Sequence, residues 1–349
     1  MSQSSKPARA GRSRPTMRHV ATLAGVGIKT VSRVMNGEPN VSSATIARVM
    51  EAAQSLDYQL DERAGNLRRA DGRTRTLGLL VSSVDNPFSG TLHRAVEDAA
   101  QARGIAVFAS SLDDDSQREK VAVNAFLRRR VDGLILTTIS EDQSYLAPEM
   151  RHGTPMVFVD REPVGISGDT VISDNRGGAM TATEHLLNHG HHRIAYLGDR
   201  REIYTARERR GGFFDALGRA GIPTGGIPVI EDLHNEESAT KAMLALLDSA
   251  TPPTAVFTSQ NLVTIGAIRA LRSRGAHHTT ALVGFDDFQL SDLLEPGVTV
   301  VAQDPQEIGR AAAERIIDRL DGDNCPARRC IVPTTLIARG TGEILPLIN

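Results

Sequence analysis

The stretch MRHVATLAGVGIKTVSRVMN, residues 17–36, decides how the first part of the chain folds. Apolar residues spaced three to four positions apart predict a first helix, with Thr16 as its N-cap and Gly25 at its end. Two helices joined by a tight turn are typical of a helix-turn-helix, although an ordinary helical hairpin in an enzyme core gives the same pattern. The buried face of the first helix is predicted to consist of Val20, Leu23 and Ala24.

A second short helix is predicted from about residue 27 to residue 35, with Val31 and Val34 facing inward. A helix of this length can enter the major groove of DNA, where polar and basic side chains meet base edges. The outward face carries Ile28, Lys29, Ser32 and Arg33. A third helix is predicted over residues 43–55 with Ser42 as its cap, and its buried face is predicted to consist of Ile46, Val49, Met50 and Ala53.

The flanking residues resemble the lactose repressor (LacI/GalR) family. The pattern T-M-x-x-V-A-x-L-A-G-V-x-x-x-T-V-S-R-V-x-N at residues 16–36, followed by NVS at residues 40–42, is similar to that family's DNA-binding headpiece. Several ordered motifs at matching separations are more specific than any one of them. The further matches are TLGLLVSSVDNPF (76–88), RRVDGLIL (129–136), SDNRGGA (173–179), TARERRGGF (205–213) and LVGFDD (282–287).

The resemblance implies DNA contacts by the headpiece and the following hinge. Arg33 is implied to reach O6 and N7 of guanine, a contact worth about 1–3 kcal/mol of discrimination. Leu67 matches the hinge leucine that each of two subunits wedges into the minor groove. Gly27 stands where the family usually has serine. The DNA-binding residues implied in this way are Thr16, Gly27, Ile28, Lys29, Thr30, Ser32, Arg33, Asn36 and Leu67.

The hinge departs from the family pattern. Asp61 and Glu62 replace the usual Asn and Arg, and Gly65 lies inside the helix that the family forms on its operator. Glycine costs about 1 kcal/mol relative to alanine inside a helix. We therefore expect this hinge to order less readily on DNA.

Charge is distributed unevenly along the chain. Residues 1–75 carry thirteen Lys or Arg against six Asp or Glu, a balance of +7; because the whole chain carries −2, the remainder carries −9. A basic front end on an acidic body is typical of a segment that meets phosphates, joined to a body that does not. Two cysteines, no export signal and no membrane-length apolar run predict a cytoplasmic, nucleoid-associated protein with reduced thiols.

From residue 77 onward, short apolar runs alternate with stretches of helical spacing. This alternation predicts parallel sheets with helices on both faces, and the number of strands favours two such units. The predicted fold class is an all-α helix-turn-helix headpiece plus an α/β core of two doubly wound parallel-sheet lobes, which the resemblance implies to be like a type I periplasmic binding protein. Strands are predicted at residues 77–83, 105–111, 133–138, 156–160, 170–173, 193–198, 255–259 and 281–285.

The domain boundaries are predicted where these patterns change. The expected domains are a disordered basic tail (1–15), the headpiece (16–60), a hinge (61–76) and a core for effector binding and dimerisation (77–349). Within the core, the resemblance implies an N-lobe of about residues 77–174 and 304–331, and a C-lobe of about residues 175–303 and 332–349.

Polar residues at the carboxyl ends of the predicted strands are candidates for a ligand site, because ligands of open α/β sheets bind beyond those ends. Carboxylates, amides and arginine suit a polyhydroxylated ligand, whose hydroxyls both donate and accept hydrogen bonds. The resemblance assigns effector contact to Asp160, Arg209 and Asp286. The full candidate set is Ser82, Ser83, Phe88, Asp160, Arg209, His234, Gln260, Asn261, Asp286 and Gln303, with Asn86 beside them.

Two departures from the family bear on the ligand. Gln260-Asn261 stands where Asn-Asp is common, and His234 aligns with a position that is often aromatic. These changes predict a less usual sugar, a phosphorylated sugar or another small polar metabolite.

Metal and catalytic sites find no support in the sequence. His189, His191, His192, His277 and His278 fall in predicted loops without zinc spacing, which favours solvated loop histidines. No Walker-type phosphate loop and no G-x-S-x-G elbow occurs. The sequence therefore predicts neither metal nor cofactor.

Three function classes remain open. The first is a dimeric repressor that binds a palindromic operator and is switched by a small polar effector in the cleft between the lobes. The second is a sugar-processing enzyme with an ancillary DNA-binding domain, which would need acid, base or nucleophilic groups in the cleft. The third is a sugar-binding protein without gene control, which the headpiece argues against.

Overall fold

The computed structural model describes residues 15–58 and 73–347. The chain separates into two compact units, residues 1–74 and 75–349. Most of the predicted tail and hinge lies outside the described residues, and so do the predictions made for Asp61, Glu62, Gly65 and Leu67.

The first unit contains the three predicted helices, α1 (Met17–Ala24), α2 (Ile28–Met35) and α3 (Ser43–Ser55). Thr16 is the N-cap of α1, and Gly25 ends that helix with φ of +62°. Glycine adopts this left-handed conformation without the steric penalty of a side chain. Ser42 caps α3, where its hydroxyl accepts a hydrogen bond from the Thr45 N–H at 3.3 Å. The predicted helix boundaries are confirmed.

The core of the first unit is narrower than predicted. Val20, Val31 and Val49 are fully buried, and small alanines pack around them. Leu23, Ile46 and Met50 were predicted to be buried, and this is wrong, since they are 56%, 41% and 51% exposed. A unit this small buries a limited share of its surface, so each helix has room for only one narrow stripe of core residues.

The second unit contains two sheets, as predicted, and each has six strands. The first has the order β11-β5-β4-β3-β1-β2 and is parallel throughout; the second has the order β12-β10-β9-β8-β6-β7, with only β12 antiparallel. The strands are β1 (Thr76–Val81), β2 (Ala106–Ser111), β3 (Gly133–Leu136), β4 (Met156–Val159), β5 (Asp169–Ser173), β6 (Ile194–Leu197), β7 (Val229–Ile230), β8 (Ala255–Thr258), β9 (Ala281–Phe285), β10 (Thr299–Ala302), β11 (Arg329–Val332) and β12 (Thr335–Ile337).

Helices cover both faces of each sheet and bury its apolar side chains. They are α4 (Pro87–Gln101), α5 (Ser116–Arg128), α6 (Ala147–Arg151), α7 (Asn175–Asn188), α8 (Tyr204–Arg219), α9 (Glu236–Leu247), α10 (Asn261–Ser273) and α11 (Pro305–Leu320). Helices α7 and α8 pack closely because Gly212 has no side chain: a Cβ there would lie 2.1 Å from the Arg176 carbonyl oxygen. No helix in the described part of the chain is long and apolar enough to cross a membrane.

The chain passes three times between the two sheets, after β5, after β10 and after β11. We call the half built on the first sheet the N-lobe and the half built on the second sheet the C-lobe. Hydrogen bonds join the crossings. The Asp174 N–H donates to the Val332 carbonyl at 2.9 Å, and the Ser173 hydroxyl donates to Gln303 Oε1. The cleft between the lobes therefore has its closed side at these segments.

Candidate functional site

Helix α2 has one buried face and one face open to solvent. Val31 is fully buried, whereas Ile28, Lys29 and Arg33 are exposed. The Arg33 Nε donates to Glu38 Oε2 at 3.4 Å, and both side chains are about half exposed. An exposed ion pair of this kind is worth about 0–1 kcal/mol, so Arg33 can leave Glu38 for a stronger partner. The predicted outward face of α2 is available for base contacts.

The remaining headpiece candidates lie on α2, at its ends, or at the start of α1. Gly27 is the N-cap of α2 and offers only backbone there. Thr30 and Ser32 are half-buried, and the Ser32 hydroxyl accepts a hydrogen bond from Asn36 Nδ2 at 3.3 Å. Thr16 is exposed at the start of α1.

Two carboxylates lie at strand ends in strained backbone. Asp160 follows β4 with φ of +67°, and Asp286 follows β9 with φ of +72°. Left-handed backbone is uncommon outside glycine, and such strain concentrates at ligand sites. One carboxylate comes from each lobe, so both sides of the cleft contribute one.

Arg209 connects the polar groups of the C-lobe side. Its Nε donates to Asn175 Oδ1 at 2.8 Å and its Nη1 to the Ser259 carbonyl at 2.7 Å, and the same Nη1 lies 3.3 Å from Asp286 Oδ2. The guanidinium stacks 3.8 Å from the centroid of the Phe285 ring. Only 5% of the Arg209 side chain is exposed, so these contacts hold it rigidly.

Gln303 extends this network to a segment that joins the lobes. Its Nε2 donates to Asp286 Oδ1 at 2.6 Å, while its Oε1 accepts from Ser173. The structure thus brings Arg209, Asp286 and Gln303 into one hydrogen-bonded set, which couples the carboxylate of the C-lobe to two of the three crossings.

Asp160 is held differently from Asp286. Its carboxylate accepts no hydrogen bond from the described residues, and its closest guanidinium nitrogen is Arg161 Nε at 3.7 Å. Burial raises the pKa of Asp160 above the ordinary value, and the positive charges of Arg161 and Arg209 oppose that effect. A buried carboxylate with unused acceptors is suited to receive donors from a ligand.

We expect Asp160→Asn to raise the melting temperature of the ligand-free protein at neutral pH. Because the pKa of Asp160 is higher in the folded state than in the unfolded chain, stability falls as the pH rises through the window between the two values. The amide removes the cost of the buried charge. For a unit of this size, each kcal/mol shifts Tm by about 2–4 °C.

Calorimetry between about pH 4 and pH 8 tests this, since the window begins near the ordinary carboxyl pKa. Asp142→Asn is the matched control, because hydrogen bonds from Ser144 lower the pKa of exposed Asp142 and its substitution is not expected to raise Tm. An Asp160→Asn variant that melts at or below the parent temperature throughout this range would contradict the expectation.

The N-lobe candidates cluster after β1. Ser82, Ser83 and Phe88 are half-buried there, with the Ser83 hydroxyl accepting from the Asp85 N–H at 3.3 Å. Asn86 Oδ1 caps α4 by accepting from the Phe88 N–H at 3.1 Å. The same oxygen lies 3.4 Å from Asn261 Nδ2 of the C-lobe, so this amide pair spans the cleft.

Gln260 serves its own helix. It is the N-cap of α10, and its Oε1 accepts a hydrogen bond from the Leu262 N–H at 2.8 Å. The structure therefore places Gln260 beside the cleft with its acceptor already engaged.

His234 takes part in a second set of contacts across the cleft. Its Nδ1 lies 3.1 Å from Asp199 Oδ1, and its Nε2 lies 3.3 Å from Arg200 Nη2. These contacts suit a neutral ring that donates through Nδ1 and accepts through Nε2. Asp114 of the N-lobe lies 3.9 Å from the His234 ring and 3.6 Å from Arg200, while it accepts from Arg161 Nη2 at 2.8 Å.

The sequence interpretation missed Asp114, Arg161 and Arg200. Each follows a predicted strand by a few residues, so the strand-end rule that selected Asp160 also applies to them. They border a cavity of about 220 Å³ between the lobes. Its walls consist of residues 138–141 and 161–162 with Asp114 and Val164 from the N-lobe, and residues 200, 202–204 and 207 from the C-lobe.

The interpretation of the histidines as solvated is wrong for His191. It is fully buried, with Nδ1 3.0 Å from Thr254 Oγ1 and Nε2 2.7 Å from the Ile344 carbonyl oxygen. Burial lowers its pKa, which favours the neutral ring. His192 and His278 are exposed, while His277 is half-buried. Among the described residues, no group of three or more His, Cys, Asp or Glu is placed to hold a metal ion.

Comparison with known proteins identifies the family. Residues 16–61 match the model for bacterial regulatory proteins of the lacI family, and residues 74–340 match the model for periplasmic binding proteins and the sugar binding domain of the LacI family. The chain belongs to the LacI family. It is a transcriptional regulator and not an enzyme, and the curated relatives are likewise transcriptional regulators.

Individual relatives of this LacI-family chain agree over nearly their whole length. It is 33% identical over 335 residues to the transcriptional regulator PtxS of Pseudomonas aeruginosa, covering 95% of this chain and 96% of PtxS. A crystal structure of the lac repressor dimer bound to operator and the anti-inducer ONPF superimposes with a TM-score of 0.84 at 27% identity, covering 95% and 99% of the two chains. A complex of the regulator CelR with cellobiose gives 0.69 at 31% identity, covering 94% and 100%.

Proposed function

We propose that this protein is a repressor that binds a palindromic operator as a dimer and is controlled by a small polyhydroxylated effector in the cleft between its lobes. The observation that carries the proposal is the rigid Arg209 network at the cleft, in a LacI-family chain whose helix α2 keeps Ile28, Lys29 and Arg33 exposed. Family membership further supports action on DNA in the cytoplasm.

We assign base contact to Ile28, Lys29 and Arg33, with Thr16, Gly27, Thr30, Ser32 and Asn36 beside them. Leu67, outside the described residues, is proposed as the hinge wedge in the minor groove. Effector contact is assigned to Asp160, Arg209 and Asp286, with Gln303 and Asn261 close by. His234 and Gln260 are proposed to border the ligand, because their polar atoms already have partners in the protein.

The effector is proposed to act by changing the closure of the lobes. Asp114 of the N-lobe lies 3.6 Å from Arg200 of the C-lobe, which is beyond hydrogen-bond length, so a small closing movement would convert this contact into a hydrogen bond. A ligand shifts such an equilibrium only by its different affinity for the two states. Groups on both lobes, such as Asp160 and Asp286, make that difference possible.

A dimer is supported by the geometry of operators and by exposed apolar side chains. One headpiece reads a half-site, so a palindrome needs two copies. Phe108 on the edge strand β2 and Leu290 and Leu293 after β9 are large, apolar and exposed. We propose that these side chains take part in the contact between two subunits.

Fluorescence anisotropy tests the function. Labelled DNA from upstream of the protein's own gene and its neighbours is titrated with the full chain, and a scrambled duplex of the same length serves as control. We expect selective binding, with two subunits per duplex, that one compound in a panel of sugars and sugar derivatives alters. Equal affinity for operator candidates and scrambled DNA would refute the proposal.

A further inference from the structure

The cavity between the lobes contains three arginines that the proposed effector contacts do not use. Arg161, Arg200 and Arg207 border it, and none of the ten candidate effector residues from the sequence does. Two of the lining arginines nevertheless contact candidate effector residues, since Arg161 Nε lies 3.7 Å from Asp160 and Arg200 Nη2 lies 3.3 Å from His234.

We propose that the effector carries an oxyanion, a carboxylate or phosphate group on a skeleton of monosaccharide size, and that Arg161, Arg200 and Arg207 bind this group. The proposal rests on the proposed function, since it names the chemical class of the ligand in the same cleft. The polyhydroxylated part of the ligand then lies toward Asp160, Arg209 and Asp286.

The arginines have donors to spare. Arg207 makes one hydrogen bond, from Nη1 to the Glu202 carbonyl at 2.5 Å, and has no carboxylate partner among the described residues. Arg200 lies 3.6 Å from Asp114 and 3.8 Å from Glu202, both longer than a hydrogen bond. A guanidinium has five N–H donors in a planar fork, which matches the paired oxygens of a carboxylate or phosphate.

Polar atoms without partners border the same cavity. The Nε atoms of Arg161 and Arg200 and the hydroxyl oxygen of Ser140 are buried and make no hydrogen bond with the described residues. A buried polar atom without a hydrogen-bond partner lowers the stability of the folded protein. Ser140 is held in this position by its backbone, since its N–H donates to buried Glu119 at 2.8 Å. Acceptor oxygens from a ligand would remove these costs.

Four carboxylates line the cavity, and two of them are already paired. Asp114 pairs with Arg161 itself at 2.8 Å, and Glu162 pairs with Arg329. Glu141 and Glu202 are exposed, so solvent and salt screen their charges. Arg200 and Arg207 therefore have no carboxylate within hydrogen-bond distance among the described residues and are the main anchors for an oxyanion.

The volume favours a small ligand. The cavity measures about 220 Å³, below the roughly 300–1,000 Å³ of sites that enclose drug-sized ligands. A cavity of this size holds the charged end of a small ligand, while the polyhydroxylated part extends toward Asp160, Arg209 and Asp286.

Isothermal titration calorimetry with the full chain tests the proposal. The probes are D-glucose, D-gluconate and D-glucose 6-phosphate, the corresponding D-ribose, D-ribonate and D-ribose 5-phosphate, and inorganic phosphate as a competitor. We expect at least one anion to bind ten-fold or more tightly than its neutral parent. A preference for the acids identifies a carboxylate, whereas a preference for the phosphates, with competition by inorganic phosphate, identifies a phosphate.

Variants show which arginines cause the preference for anions over neutral sugars. Arg207→Gln, at an exposed position, and Arg200→Gln are each expected to reduce the anion preference ten-fold. Arg193→Gln is the matched control, since this exposed C-lobe arginine does not border the cavity. Neutral sugars that bind as tightly as their anions, an absence of binding by every anion, or an unchanged preference in both variants would overturn the proposal.

Operator binding is measured on the same samples. Selective DNA binding without an anion preference would refute the proposed oxyanion but not the proposed function. An absence of selective DNA binding by the parent protein would refute the proposed function.

Discussion

Arg33→Ala is expected to abolish selective operator binding while effector binding persists. One bidentate contact with guanine contributes about 1–3 kcal/mol, and a dimer on a palindrome makes it twice. The loss is then about 2–6 kcal/mol, or roughly 30-fold to more than 10,000-fold in affinity. Arg33 is exposed and its partner Glu38 is half exposed, so the substitution removes no core contact.

The measurement is the ratio of affinities for operator and scrambled DNA, obtained by anisotropy at one salt concentration. Arg48→Ala is the control in the same unit. Arg48 is an exposed arginine of α3, and its loss is expected to weaken binding to both duplexes by the same factor. If Arg33→Ala lowers both affinities by the same factor, Arg33 contacts phosphate and the base-reading assignment is wrong.

Arg209→Lys is expected to remove the response to effector and to leave operator binding without effector unchanged. Lysine keeps the charge beside Asp286 but lacks the planar fork that bonds Asn175 and Ser259 and stacks on Phe285. Each charge-assisted hydrogen bond contributes about 1.5–3 kcal/mol, so effector affinity falls about ten-fold to 150-fold. Lysine is preferred to alanine here, because alanine would leave Asp286 without its buried countercharge.

Arg210→Lys is the matched control. Arg210 is the next residue of α8, also stacks on a phenylalanine ring, at 4.7 Å from Phe214, and also pairs with a carboxylate, Glu231 at 3.3 Å, but it is exposed. We expect the Arg210→Lys variant to respond to effector as the parent protein does. A normal response in Arg209→Lys, or an equal loss in both variants, would remove Arg209 from the proposed site. Thermal unfolding shows whether either variant has lost stability.

The sequence predicted the fold well wherever local pattern decides it. All eight predicted strands and the three headpiece helices are present, because apolar spacing, caps and glycine positions specify them directly. The strands β7, β10, β11 and β12 were not predicted. β7 and β12 are only two and three residues long, and β11 begins with exposed Arg329 and Cys330, whereas β10 is four residues long, apolar and largely buried, and was overlooked.

The sequence predicted individual residues of the candidate site better than the contacts that join the two lobes. The strand-end rule selected Asp160 and Asp286, and Arg209 came from the family resemblance. Asp114 and Arg200 also follow predicted strands, but their proximity depends on how the two lobes meet, and no local pattern encodes that distance. Leu23 and Met50 failed for a related reason: helical spacing identifies an apolar face but not how much of it the neighbouring helices cover.

The three crossings also have a mechanical consequence. They leave neighbouring strands at one edge of each sheet, β5 and β11 in the N-lobe, β10 and β12 in the C-lobe, and hydrogen bonds tie them together. Three hydrogen-bonded crossing segments along one edge resist twisting of the lobes, so rotation of the lobes about a single axis is the motion that costs the least energy. One distance between fluorophores placed on the two lobes would then report the state of the molecule, which suits this chain to use as a ratiometric biosensor.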